Sequence, residues 1–274
     1  MRSQGDNMQR NVTRRLWLLL ALLASRASLA AEAPASRPLR VAFVQGNLAQ
    51  FTLDKTTGQY RGVSADVAQE LARSWRQPVE VTLLAPAAIV EAVAQQRIDL
   101  GFVAPTPGRT GKVLYSQTYM LVQQSAFVAS DGPIAFVSEL DRPGQRVGAN
   151  AGDSVAGYLA RTLRSATLAE SSDMTMREAL LWVRDGTVSA FAGNRQRLGA
   201  AIRGEPGFRL LPDNIYAVPQ AIAVARERPE LLVRVDASLD EMRGSGFLAQ
   251  AVQGSGVDGI TVAPARGAVE APSQ

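Results

Sequence analysis

The chain of 274 residues contains neither cysteine nor histidine. Without cysteine there is no disulfide, no lipidated thiol, no thiolate metal site and no cysteine nucleophile. Without histidine the chain lacks the commonest general base and the commonest zinc ligand, and a Ser-His-Asp triad is excluded. An excess of one charge is missing too, once the first thirty residues are set aside. The whole chain has 29 Lys and Arg against 25 Asp and Glu, but residues 1–30 hold five arginines and a single acid, Asp6. The remainder is balanced, so nothing electrostatic favours a nucleic-acid partner. Beyond the leader there is also no run of eighteen apolar residues, the length a membrane-spanning helix needs.

What is present begins with an export signal. Arg10, Arg14 and Arg15 form a basic segment, and residues 16–24 (LWLLLALLA) are an apolar run too short to span a bilayer comfortably. Ser28-Leu29-Ala30 offers small residues, Ser28 and Ala30, at the cleavage positions near Ala30, which predicts a periplasmic mature protein. Thr13-Arg14-Arg15-Leu16 loosely matches a twin-arginine signal, which leaves both export routes open. Residues 31–38, rich in Ala and Pro, read as a flexible lead-in, and residues 263–274 as a frayed tail.

Between these ends the hydrophobic pattern alternates strand and helix. Residues 39–44 (LRVAFV) read as a buried strand and 54–62 as a turn-rich loop. Ser64 reads as the N-cap of a helix over 65–74. A strand at 79–84, a helix at 87–96 and a strand at 98–103 follow. This β-α-β-α-β order predicts a parallel sheet with helices on its faces. After a strand at 122–129 the pattern restarts. Strands are predicted at 146–149, 167–169 and 188–192, with helices from Gly152-Asp153-Ser154, over 174–185 and over 195–203. A strand at 220–225 and helices at 229–243 and 247–253 close the chain.

The stretch 97–120 is the most pointed. Its strand breaks at Pro105 and Pro107, and one cation, Arg109, follows. A strand ending in a loop that presents a single arginine can hold a forked donor in a cleft, matched to a carboxylate or phosphate. A solvated loop arginine gives the same pattern.

Several segments, taken in order, carry a family resemblance: LRVAFV, then GVSADVAQELA (62–72), QQRIDL, TPGR (106–109), VLYSQTYM, LDRPGQRVGANAGDSVAGYL and ERPELLVRVDASLDEMRGSGFLAQ. Together they resemble the family 3 periplasmic solute-binding proteins, the polar amino-acid-binding components of ABC importers, over residues 39–262. The resemblance implies a type II two-lobed α/β fold, each lobe a small mixed or parallel sheet flanked by helices, joined by two hinge strands. Lobe one would comprise 39–124 plus 221–262, and lobe two 125–220. It implies a monomer that binds a small carboxylate-bearing solute at the carboxyl ends of the strands, closes by hinge motion and works with an inner-membrane ABC permease. No cofactor, metal or catalytic residue is implied.

Arg109 matches the family arginine that grips a ligand carboxylate. Phe51, Phe102 and Thr106 are placed beside it as candidate contacts. In the second lobe, Asn150, Asp153 and Ser154 lie at a glycine turn opening a helix, where backbone N–H groups favour an anion. Asp153 and Ser154 also read as plain N-caps. Three positions depart from the family. Leu48 stands for the usual stacking aromatic, Ala104 for a hydroxyl, and Asn194 for the acid that pairs with an α-ammonium. This leaves two expectations for the ligand: a carboxylate without a free ammonium, or an amino acid whose charge Asp153 answers. Two other function classes follow from the resemblance, a periplasmic dehydratase on a cyclic carboxylate, with Asp153 as proton donor, and a free-standing ligand sensor.

Overall fold

The computed structural model describes residues 37–47, 50–105, 111–172 and 174–265. The expected export signal and most of the expected lead-in and tail lie outside these residues. In chain order the elements are β1 (Leu39–Val44), β2 (Thr52–Leu53), β3 (Tyr60–Arg61), α1 (Val63–Trp75), β4 (Val79–Leu84), α2 (Pro86–Ala94), β5 (Leu100–Val103), β6 (Val113–Tyr115) and β7 (Met120–Ala129). There follow β8 (Arg146–Asn150), α3 (Ser154–Thr162), β9 (Thr167–Ser171), α4 (Met176–Arg184), β10 (Ala190–Asn194), α5 (Arg195–Ala201) and β11 (Phe208–Leu210). β12 (Tyr216–Ala225), α6 (Pro229–Gly244), α7 (Phe247–Ser255) and β13 (Ile260–Val262) complete it.

The strands pair in the order β4-β1-β5-β12-β7-β10-β8-β9. The two ends of this path are parallel: β4, β1 and β5 on one side, β10, β8 and β9 on the other. The centre is antiparallel. β12 pairs with β5 through Ala221–Ala223 and with β7 through Tyr216–Gln220. β7 in turn pairs with β10 through Gln124–Phe127. The parallel segments match the βαβ pattern of the sequence, because parallel neighbours need a helical crossover. The antiparallel centre needs two long strands, and β7 and β12 are each ten residues long.

Each half of the sheet has apolar cores on its two faces. In the first half, Val41, Phe43, Leu100 and Phe102 pack with α1, α6 and α7, while Ala42, Ile89, Val90, Val93 and Val103 pack around α2. In the second half, Val147, Ala149, Val155 and Leu159 form one core, and Phe127, Leu180, Val183, Phe191 and Leu198 the other. Gly101 lets α2 lie close on β5: a Cβ there would come within 2.5 Å of the Ile89 Cγ2. Asp99, nearly buried, ties the same corner together. It accepts from Arg40 Nε and Nη2 at 3.0 Å each and from Arg228 Nη1 at 2.8 Å.

The structure corrects several expectations. Ser64 is not a cap. α1 begins at Val63 with Gly62 at the N-cap, and the Ser64 hydroxyl is buried against the Tyr119 phenol at 2.6 Å. The loop over 54–62 contains one arm of a small hairpin, β2 with β3. β6, β11 and β13, three residues each, are recruited to the edges of β12 and β7. Ala263, expected in the tail, is buried, and its N–H donates to the Tyr119 carbonyl at 3.2 Å. No helix among the described residues is long and apolar enough to cross a membrane.

The Ser64–Tyr119 pair is fully enclosed, and burial pushes the phenol well above its ordinary range. Removing either hydroxyl leaves a buried polar group without its partner. Ser64→Ala or Tyr119→Phe should therefore cost about 1–3 kcal/mol in chemical denaturation. The double variant should recover part of the loss, and strict additivity would show that the two hydroxyls are not coupled.

Candidate functional site

A cavity of about 380 Å³ is lined from both halves of the sheet. The first half contributes Val44, Gln45, Gly46 and Asn47 at the end of β1, Pro86 at the start of α2, and Val103 and Ala104 at the end of β5. The second contributes Gly152, Asp153 and Ser154 before and at the start of α3, and Asn194, Gln196 and Arg197 around the start of α5. These segments follow the carboxyl ends of parallel strands, where open α/β sheets expose backbone and loops for binding. The floor is Val122 and Gln124 of β7 with Val218 and Gln220 of β12. The alternation of side chains puts these four on one face, since Val122 lies opposite Val218 and the glutamines follow two residues beyond on each strand.

The charged side chains on the described wall are Asp153 and Arg197. Arg197 Nη1 stands 3.7 Å from Asp153 Oδ2, with the two side chains 44% and 45% exposed. Desolvation pushes the Asp153 carboxyl above its ordinary value, while Arg197 and a hydrogen bond from Asn150 pull it down. Asp153 holds the N-cap position of α3, but its side chain makes no capping bond, so the plain-cap reading fails. The Ser154 hydroxyl shares a hydrogen bond with the Tyr216 phenol, whose ring stacks on Tyr158 at 4.2 Å.

Asn194 is a cap. Its Oδ1 accepts the Arg197 backbone N–H at 3.2 Å, which opens α5. That oxygen thus already holds one hydrogen bond, and it brings no charge to meet a ligand ammonium. Asn150 lies behind the turn rather than on the described wall. Its carbonyl accepts the Asp153 N–H at 3.1 Å, and its buried Oδ1 has no partner among the described residues.

Of the sequence candidates, Ala104, Asp153, Ser154 and Asn194 line the cavity together. Phe51 and Phe102 do not. Their rings pack against Phe43 at 5.3 and 5.0 Å in the first-half core: Phe102 falls on the covered face of β5, and Phe51, in the loop after β1, folds onto the same core. Leu48, Thr106 and Arg109 lie outside the described residues. The sequence reading missed Gln124, Gln220 and Arg197. The glutamines did leave a signal, since each interrupts a long apolar strand, MLVQQSAFVA and YAVPQAIAVA. Among the described residues no group of acids could hold a metal ion.

The profile of the bacterial extracellular solute-binding proteins, family 3, matches residues 39–254. A search of curated proteins by sequence finds no match. Among solved structures, the L-cysteine solute receptor of Neisseria gonorrhoeae superposes with a TM-score of 0.62 at 23% identity, over 80% of this chain and 89% of that one. The cysteine-binding protein of Campylobacter jejuni gives 0.61 at 20% identity, over 80% and 88%. An ancestral amino acid-binding protein, a precursor of cyclohexadienyl dehydratase, gives 0.61 at 24% identity, over 79% and 94%. The fold is therefore the type II periplasmic-binding fold, with mixed sheets flanked by helices.

The raised Asp153 carboxyl has a consequence for stability. A native pKa above the unfolded value means that the folded state holds the proton more tightly, so stability falls as pH rises through that interval. Relative to wild type, Asp153→Asn should gain stability between acid and neutral pH. Below the ordinary carboxyl value of 3.8 the difference should become constant. Thermal melts across this range check it, and an opposite slope would show that Arg197 outweighs desolvation.

Proposed function

The chain belongs to the bacterial extracellular solute-binding proteins of family 3, and on that premise we propose that it captures a small carboxylate-bearing solute for an inner-membrane ABC permease. The family is one of binding proteins, so the chain binds its solute and does not turn it over. The observation that carries the reading is the cavity at the carboxyl ends of the strands, walled from both halves and floored by β7 and β12. A solute held there touches both halves and the strands between them, and so stabilises whichever arrangement closes around it.

In this reading the lobes are 39–124 plus 221–262 and 125–220, and they close by hinge bending where β7 and β12 cross. Residues 1–30 are removed on export near Ala30, and the mature protein works as a monomer in the periplasm. Arg109, two residues beyond Pro107 and following β5, supplies the fork for the carboxylate. Of the two ligand expectations, the first is favoured. Asp153 shares its charge with Arg197, and Asn194 brings a neutral amide where an acid would bring a charge, so the second-half wall is poorly matched to an ammonium.

The test is titration calorimetry of Arg109→Ala with carboxylates that bind the wild type. Loss of a bidentate, charge-assisted pair of about 3 kcal/mol should weaken binding about 100-fold. Near-native affinity would place the anion elsewhere.

A further inference from the structure

Gln220 is a buried side chain with an unused donor on the cavity wall. It is 5% exposed and forms part of the floor. Gln50, fully buried, sets its orientation. The Gln50 Oε1 accepts the Val44 N–H at 3.1 Å. Only the oxygen of an amide side chain can do this, so the Gln50 Nε2 must point the other way. There it donates to the Phe102 carbonyl at 3.2 Å and to the Gln220 Oε1 at 3.1 Å. With its oxygen engaged, Gln220 turns its Nε2 hydrogens elsewhere, and they have no partner among the described residues. A bare N–H in such a place is unfavourable until a ligand or water oxygen meets it.

On the second-half wall, beside the Asp153–Arg197 pair, Asn194 likewise has its oxygen engaged, by the cap of α5. Gln124 is the exception. Its Nε2 donates to the Val122 carbonyl at 3.3 Å, which leaves a neutral oxygen, an acceptor without the charge that an ammonium calls for.

We propose that Gln220, positioned by Gln50, donates an N–H to a neutral oxygen of the bound solute, and that the cleft therefore prefers 2-hydroxy or 2-oxo acids over the matched 2-amino acids. This rests on the carboxylate-binding reading above. The test uses sets that differ only at C2: lactate, pyruvate and L-alanine; 2-hydroxyglutarate, 2-oxoglutarate and L-glutamate; and the corresponding leucine set. Each compound is titrated calorimetrically into the purified protein at neutral pH. In the set that binds, the oxygen-bearing member should be at least about tenfold tighter than the amino acid.

Gln220→Glu still accepts from Gln50 but turns a carboxylate oxygen to the cavity. It should weaken the oxygen-bearing member about 10–100-fold and move the preference toward the amino acid. Gln220→Met, which lacks the donor, is the second variant and should weaken the same member about tenfold. Gln50→Glu cannot donate to Gln220 and should shift the same ratio, which a general loss of stability leaves unchanged. A wild type that binds the amino acid tightest overturns the proposal, as does a ratio unmoved by both Gln220 variants. Acids whose binding Arg109→Ala abolishes and Gln220→Glu spares would sink this proposal alone. A wild type that binds none of the acids overturns the carboxylate reading and this proposal with it.

Discussion

The antiparallel ladder between β7 and β12 is the constraint on which the rest depends. Five residue pairs, from Tyr216 opposite Gln124 to Gln220 opposite Met120, fix the register of two strands that both halves of the sheet share. Side chains alternate along a strand, so this register decides which residues form the cavity floor. A slip of one residue in either strand would turn its glutamine to the opposite face, putting Gln123 or Ser125 in place of Gln124, or Pro219 or Ala221 in place of Gln220. The parallel strands on either side then hang from this centre, and their carboxyl ends deliver Ala104, Asn194 and the 152–154 turn to one space.

The chemistry of that space is set by what happens to its acids. An aspartate at position 194 could cap α5 equally well and would bring a charge with it. Asparagine keeps the cap and drops the charge. The one carboxylate that remains on the described wall, Asp153, is partly desolvated and faces Arg197. Around that pair the surface is largely one of amides and valines, in which oriented N–H and C=O groups carry the polarity. Such groups discriminate by direction more than by strength, because a misdirected amide leaves both itself and its ligand partner unmatched.

The β-α order was readable because each strand is an apolar run bounded by turn residues, and each helix carries an apolar face. Residues 39–44 and 79–84 match β1 and β4 in full. What the sequence hid is non-local. Ser64 looks like a cap because serine before a helix usually is one, but its partner Tyr119 lies 55 residues away. β6, β11 and β13 are too short to show a period, and exist because β7 and β12 offer them free edges. Phe51 and Phe102 neighbour the site in sequence, yet the face they occupy depends on packing with Phe43. The Gln50–Gln220 link joins residues 170 apart, a pairing that no local pattern announces.

Beyond residue 36 the chain has two tryptophans, Trp75 and Trp182, and they fall in different halves. Trp75, on α1, donates its indole N–H to Ser238 Oγ at 3.3 Å and lies beneath the Arg234 guanidinium at 4.2 Å. Trp182, on α4, packs against the core around Phe191. Neither lines the cavity. Indole emission from this protein therefore carries two separate signals, one for the integrity of each half, and neither reports directly on the cavity.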